Sequence, residues 1–231
     1  GYNVQAAVDT EHHLIVAHEV TNAGSDRRQL TRMAEQAKSA LSVDEIRVVA
    51  DRGYYRNLEL KACEEAGITT YVPNSSTSSN KAQGKFDRSV FRYIAADDEY
   101  ECPAGQRMAR RLTSEETDMT LHRYWSDQCG GCALKAQCST GNQRRVTRWE
   151  HVAVVERARD RLERSSDMMR CRRTTVEHPF GTLKAWMGST HFLTRTLPRV
   201  STEMSLHVLA YNMKRMLNLV GPKPLIEAIR G

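Results

Sequence analysis

The sequence predicts an α/β fold, and three observations carry the prediction. Short β-rich runs alternate with amphipathic helical stretches over residues 1–72. Helices separate the later strands, which calls for parallel crossovers. Asp51 closes a short apolar strand, the position where open α/β sheets place their chemistry.

Residues 2–8 and 14–20 are β-rich and joined by a polar stretch that opens on Asp9, which reads as a hairpin. Asp26, with Gln29 three residues on, fits a variant capping box. Leu30, Met33, Ala34, Ala37 and Leu41 make the apolar face of the helix it opens. Residues 46–50 form a short buried strand. Asp51, Arg52 and Gly53 turn the chain into a helix over 57–66, and Gly67 stops that helix before a strand over 68–72. Asp51 has two readings at this level, a cap for the turn or a catalytic carboxylate.

Ser, Thr, Asn and Gly dominate residues 73–85, a surface loop. Residues 91–102 read as a hairpin about Asp97 and Asp98, and 119–125 as a further strand. Residues 149–164 are helical, with Val152, Val155, Ala158 and Leu162 on one side, and Ser165 and Ser166 break the helix. After Pro198, the residues Leu206, Leu209, Ala210, Met213 and Leu217 mark an amphipathic helix. The expected organisation is a core over 1–73, a β-rich cysteine-bearing insertion over 74–148, and C-terminal helices over 149–231 that complete the core.

Composition places the chain among globular proteins. It is 40% hydrophobic and 27% charged, too apolar for a disordered chain of this charge. A net charge of +6 and a pI near 9.1 point to an anionic partner. The basic charge concentrates between Arg144 and Arg173, where ten arginines face five acidic residues, with Tyr124, Trp125 and Trp149 nearby. Arginines neutralise phosphates and aromatics stack on bases. Glu150, Glu156, Asp160 and Glu163 interleave, so residues 157–164 read as a solvated, paired helix face, and DNA contact falls to Arg170, Arg172 and Arg173. No apolar run is long enough to span a bilayer, and no secretory leader opens the sequence. It starts with Gly1, inside a strand, and so reads as a fragment of a longer protein.

Cys102, Cys129, Cys132 and Cys138 fall within a short span, with two glycines between Cys129 and Cys132 and the run Pro103, Ala104, Gly105 after Cys102. Cys-x-x-Cys with small residues turns backbone amides toward two thiolates, as a tetrahedral Zn²⁺ site needs. Four soft ligands also suit an iron–sulfur cluster, and a third reading leaves the cysteines without a metal. Cys63 and Cys171 lie in helical patterns and read as ordinary buried thiols.

Arg173, Glu177 and Lys184 are four and seven residues apart and project from one face of a continuous helix. A carboxylate framed by two cations is either a salt-bridged surface or a site where the acid holds a metal and the cations meet phosphate. His178 follows Glu177 about 100° round the helix and reads as structural. Pro179 places a helix break close to Glu177.

Four stretches come in order: Gly1-Tyr-Asn-Val-Gln-Ala-Ala-Val-Asp9, Ala50-Asp-Arg-Gly-Tyr54, Arg173-x₃-Glu177-x₆-Lys184 and Leu209-Ala-Tyr-Asn-Met-Lys-Arg215. Together they resemble bacterial insertion-sequence transposases of the DDE type, over essentially the whole chain. The resemblance implies an RNase H-like mixed sheet with flanking helices. It also implies metal-dependent DNA strand cleavage and strand transfer at transposon ends. Asp51 is then the second acid of the triad and Glu177 the third, both holding Mg²⁺ or Mn²⁺. Arg173 and Lys184 match the Arg and Lys of the family's Tyr-Arg-Glu-Lys signature and contact DNA, as Arg170 and Arg172 are expected to. Homodimers on paired DNA ends and a bacterial cytoplasmic, nucleoid-associated location follow from the same resemblance.

Two departures stand out. The signature Tyr would stand at position 170, which is Arg170. The family's first Asp lies on its first core strand, in an Asp-Ser/Gly-Thr stretch that does not occur here. The hairpin over 2–20 then corresponds to core strands two and three, with strand one and its Asp before Gly1, and residues 1–231 alone are expected to be inactive. Rival readings are another RNase H-like nuclease without strand transfer, or a non-catalytic DNA-binding remnant organised by a Cys₄ metal site.

Overall fold

The computed structural model describes residues 1–74, 79–186 and 191–230. The chain forms two compact units, residues 1–74 with 154–231, and residues 75–153. The α/β class holds.

The first unit opens with β1 (Asn3–Val8) and β2 (Ile15–Thr21), antiparallel from Asn3↔Thr21 to Val8↔Ile15. Asp9 is taken up by the turn between them. Its carboxylate accepts the backbone N–H groups of Glu11 at 3.3 Å and His12 at 2.7 Å. Ser25, not Asp26, caps the short 3₁₀ turn Asp26–Arg28, its hydroxyl accepting the Arg27 N–H at 3.4 Å. The capping-box reading of Asp26 is therefore wrong, and its carboxylate points elsewhere. Helix α1 (Leu30–Leu41) buries Leu30, Met33, Ala34 and Ala37 as its periodicity predicts, but Leu41 in the last turn is 48% exposed. Strand β3 (Ile46–Val49) pairs in parallel with β4 (Ile68–Tyr71), with helix α2 (Asn57–Glu65) crossing between them. Gly67 ends the crossover at φ +71°, a left-handed position that favours glycine.

Among the described residues, β1–β2 and β3–β4 form two separate two-stranded sheets, where the resemblance implied one mixed sheet. Among the described residues, one edge of β1 and one edge of β3 are left without a strand partner.

In the second unit, residues 75–78 of the predicted loop lie outside the described residues, and a helical turn, α3 (Ser79–Ala82), follows. Strands β5 (Arg92–Ile94), β6 (Glu99–Glu101), β7 (Arg107–Glu116), β8 (Met119–Trp125) and β9 (Val146–Trp149) form an antiparallel meander in chain order. Phe91, Tyr100, Met108, Tyr124 and Val146 are its core. Asp98 turns the β5–β6 hairpin at φ +51° and accepts the hydroxyls of Tyr93 at 2.9 Å and Tyr124 at 2.7 Å. Trp149 belongs to β9 and not to the helix predicted from 149. The connection from β8 to β9 holds a 3₁₀ turn, Asp127–Cys129, and the helical turn α4 (Lys135–Cys138).

Helix α5 (Val152–Arg164) then buries Val154 and Ala158 in the first unit's core, beside Leu30, Leu60, Cys63, Ile68 and Val72. Helix α6 (Met168–Gly181) runs through Pro179, which is buried, and passes into a π-helical turn, Thr182–Trp186. The expected break near Glu177 is thus displaced beyond Gly181. Helix α7 (Leu197–Val220) packs Val200, Met204, Val208 and Tyr211 against Ile15 and Val20 of β2. The predicted apolar face of this helix is corrected. Leu206, Leu209, Met213 and Leu217 are all exposed, because apolar residues occupy both sides and β2 takes the other one. Helix α8 (Pro222–Arg230) closes the chain. No helix among the described residues is long and apolar enough to cross a membrane.

Candidate functional site

Strand β3 delivers Asp51 to the C-terminal end of the parallel pair, where the chain turns. The two oxygens of its carboxylate do different work. Oδ1 accepts the Gly53 N–H at 2.8 Å and caps the turn Arg52–Tyr54. Oδ2 accepts from the Arg172 guanidinium at 2.8 Å, an ion pair whose side chains are 40% and 28% exposed. Capping and charge, alternatives in the sequence, coexist in one residue.

A second carboxylate lies beside it that sequence reasoning assigned to a helix cap. Asp26 Oδ1 accepts the side-chain amides of Asn3 and Gln5, each at 2.7 Å. A methyl group added at Gly53 would lie 2.9 Å from Asp51 Oδ1 and 3.7 Å from Asp26 Oδ2. The first distance is closer than side-chain carbons come to oxygen, so a glycine here lets the two acids flank the turn. Gln5 is 1% exposed and accepts a short hydrogen bond from the Tyr54 hydroxyl, which ties β1 to the turn after β3. Burial pushes the Tyr54 phenol up to about 12, the Asp26 and Asp51 carboxylates push the same way, and Arg172 opposes them. Tyr54 is therefore a permanent donor near the two acids. The signal in the sequence was the polar pair Asn3 and Gln5 on a strand: Gln5 is among the few buried polar side chains among the described residues.

Helix α6 packs across β3 and carries Arg170, Arg172, Arg173 and Glu177. Arg172 meets Asp51, and Thr175 and Pro179 continue that inward face. Arg173 and Glu177 lie on the exposed side of the helix. The Glu177 side chain makes no hydrogen bond or ion pair with another described residue. It stands five residues beyond Arg172, about 7.5 Å along the helix axis at 1.5 Å per residue. Lys184 is exposed on the π-helical turn, whose wider winding breaks the common phase predicted for Arg173, Glu177 and Lys184. Arg170 pairs with Asp167 at 3.1 Å on the surface. Among the described residues no group of three or more His, Cys, Asp or Glu side chains stands close enough to hold a metal ion.

The other motifs find structural roles. Arg157 pairs with Glu64, and Arg159 with Asp160 and Glu163. The Arg161 Nε donates to the Thr70 carbonyl at 3.3 Å. From α7, the Tyr211 hydroxyl donates to the His13 carbonyl at 2.6 Å. Asn212 both accepts from and donates to the Ile15 backbone, and the Arg215 Nε donates to the His12 carbonyl at 2.6 Å. These residues clamp the β1–β2 hairpin. His178 Nδ1 meets the Tyr211 hydroxyl at 3.0 Å. Burial lowers the affinity of its imidazole for a proton, with Arg215 and His13 adding to the effect.

In the second unit, Cys102, Cys129, Cys132 and Cys138 line one small cavity together with Phe86 and Arg144. All four are unpaired thiols. Burial raises the Cys138 thiol; Arg144 opposes that rise and the other three sulfurs add to it.

A family model described as "Transposase DDE domain" matches residues 1–213. No curated protein and no solved structure matches the chain. The matched span runs from β1 through Asp51 and α6 to the hairpin clamp on α7, nearly the whole sequence, and the chain therefore belongs to the transposase DDE domain family.

Proposed function

We propose that this chain carries the catalytic domain of a transposase that cleaves DNA strands at insertion-sequence ends and transfers them to a target. The observation that carries this reading is the meeting of Asp51, Asp26 and α6 at the C-terminal end of β3. Asp51 Oδ2 is already occupied by a cation, the Arg172 guanidinium, so the position suits positive charge. Asp26 leaves Oδ2 beside Gly53 while its other oxygen is fixed by two amides. Hard oxygen donors of this kind fit Mg²⁺ or Mn²⁺. When bound, such ions activate water or a 3′-hydroxyl and stabilise the leaving 3′ oxygen.

In this reading Asp51 and Glu177 are ligands from a strand end and a helix, and Asp26 supports them. Tyr54 and Gln5 hold Asp26 and the turn in register. Arg173, Lys184, Arg170 and Arg172 take the DNA backbone, with Arg172 exchanging Asp51 for phosphate. The family's first Asp has no counterpart in residues 1–231. The open edges of β1 and β3 suit a further strand that brings it. Paired ends imply a homodimer, acting on DNA in the bacterial cytoplasm.

The test is cleavage and joining of the element's own ends by the intact protein with Mg²⁺. Asp51→Asn and Glu177→Gln should each abolish both steps, and cleavage at the wild-type rate by either variant refutes the assignment. Cleavage without a joined product supports a nuclease instead. Residues 1–231 alone should leave the DNA intact, and cutting by them would overturn the placement of the first acid elsewhere.

A further inference from the structure

The cysteine cluster has no part in the strand-transfer reading. We propose that the second unit binds one structural zinc ion through Cys102, Cys129, Cys132 and Cys138, with the Arg144 guanidinium as its outer partner. Every cysteine between residues 75 and 153 is on this cavity, and the remaining two, Cys63 and Cys171, belong to the other unit.

Three turns present the four thiols. Cys102 opens a tight turn in which the Gly105 N–H donates to the Cys102 carbonyl at 2.8 Å, and the Cys102 N–H to the Gln106 carbonyl at 3.0 Å. Gly105 has φ +74°, which favours glycine. Cys129 ends the 3₁₀ turn Asp127–Cys129, and Gly130 and Gly131 lead to Cys132, whose carbonyl accepts the Lys135 N–H at 3.1 Å. Cys138 ends α4. Cys102 and Cys138 also pack against the core of the five-stranded sheet, so their sulfurs start from anchored backbone.

Charge supports the same assignment. A divalent zinc with four thiolates carries a net charge of −2, which a neighbouring cation offsets. Arg144 lines the cavity with its guanidinium near the Phe91 ring, 5.3 Å to the centroid, and its buried Nε has no hydrogen-bond partner among the described residues. An N–H donor so placed is costly unless it meets an acceptor, and a zinc-bound thiolate is one. The cavity measures about 30 Å³.

The connection from β8 to β9 supplies the need. It runs for some twenty residues with only two short helical turns. Connections of that length within a compact unit are uncommon without a function or a staple. The sulfurs do not yet converge. Zinc needs the four thiols gathered at about 2.3 Å from a common centre, so metal binding and ordering of this connection are coupled.

The experiment is elemental analysis of the purified chain, with cobalt substitution as a second readout. The expected result is about one zinc per chain, and for the cobalt form the intense visible bands of a tetrahedral thiolate site. Cys129→Ser combined with Cys132→Ser should lose the metal, while Cys171→Ser keeps it in full. Cys138→His should retain zinc with a shifted cobalt spectrum, which keeps the test independent of whether the double variant folds. Arg144→Ala should weaken zinc binding by about tenfold or more. Folded protein with no stoichiometric zinc and no cobalt bands would overturn the proposal. So would bound iron with a cluster spectrum, or a disulfide among the four. None of these readouts involves DNA cleavage, so failure here is separable from failure of the catalytic reading.

Discussion

Replacing Arg172 with Gln tests whether Asp51 is a metal ligand held by a resident cation. The pair closes at 2.8 Å, with Asp51 40% and Arg172 28% exposed. Two unit charges at 4 Å interact by about 4 kcal/mol at a surface-like dielectric. Water reaches both groups, and measured exposed pairs give only about 0.2–1 kcal/mol. A divalent ion that displaces Arg172 must therefore recover about 1 kcal/mol. At 1.4 kcal/mol per factor of ten, Arg172→Gln should bind Mn²⁺ about fivefold more tightly than wild type. Calorimetric Mn²⁺ titration of wild type, Arg172→Gln and Asp51→Asn provides the comparison, and Asp51→Asn should bind more weakly than either. DNA binding should move the other way. Losing one phosphate contact lowers the salt slope of log K by about 0.9. Equal Mn²⁺ affinity in wild type and Arg172→Gln, or none lost in Asp51→Asn, refutes the ligand assignment.

Three further outcomes follow from the packing. Tyr54→Phe removes the donor to the buried Gln5 carbonyl oxygen and should cost about 1–3 kcal/mol in thermal or urea unfolding; an unchanged midpoint would show that the bond is idle. Met204→Ala on α7 should cost about 2–5 kcal/mol, whereas Leu209→Gln on the opposite face stays within about 0.5 kcal/mol. The reverse order would restore the face predicted from sequence. Burial pushes the Asp98 carboxyl up, but the Tyr124 and Tyr93 hydroxyls and the nearby Arg110 outweigh it, so the group stays below the ordinary Asp value. Its contribution is complete above about pH 3.9 and is lost as pH falls through the depressed folded value. Asp98→Asn, tolerated at φ +51°, should flatten the acid limb of a pH–melting curve; an unaltered limb counts against this hydrogen-bond pair.

What could be read from the sequence had strong local causes. The β1–β2 hairpin, the parallel β3–β4 pair and the stop at Gly67 follow from β-rich runs and one left-handed glycine. Strand β7 escaped because Arg107, Arg110, Arg111, Glu115 and Glu116 break any apolar alternation. Its pairing with β6 and β8 is set by the short turns at its two ends and not by any apolar alternation. Helix α8 escaped because Pro222 and Pro224 look like breakers, yet proline is admitted in a first helical turn. Asp51 was legible because strand ends mark sites. Asp26 was not, since its partners Asn3 and Gln5 are more than twenty residues away and a local cap gave a sufficient account of it. The shared phase of Glu177 and Lys184 failed for a similar reason: a π-helical turn is invisible to a count of residues.

Val72 and Val154 sit in the same core cluster, with about 80 residues of the second unit between them. The first unit is thus a discontinuous fold whose core cannot close until the ribosome has passed residue 158, where Ala158 completes the cluster. At about 5–20 residues per second, strands β1 to β4 wait some 4–16 s while the second unit is made. That unit is contiguous and its strands pair in chain order, so it can finish first. The order of synthesis makes the insertion the part that folds early, and the apolar surfaces of Leu60, Ile68 and Val72 the ones exposed to chaperones in the meantime.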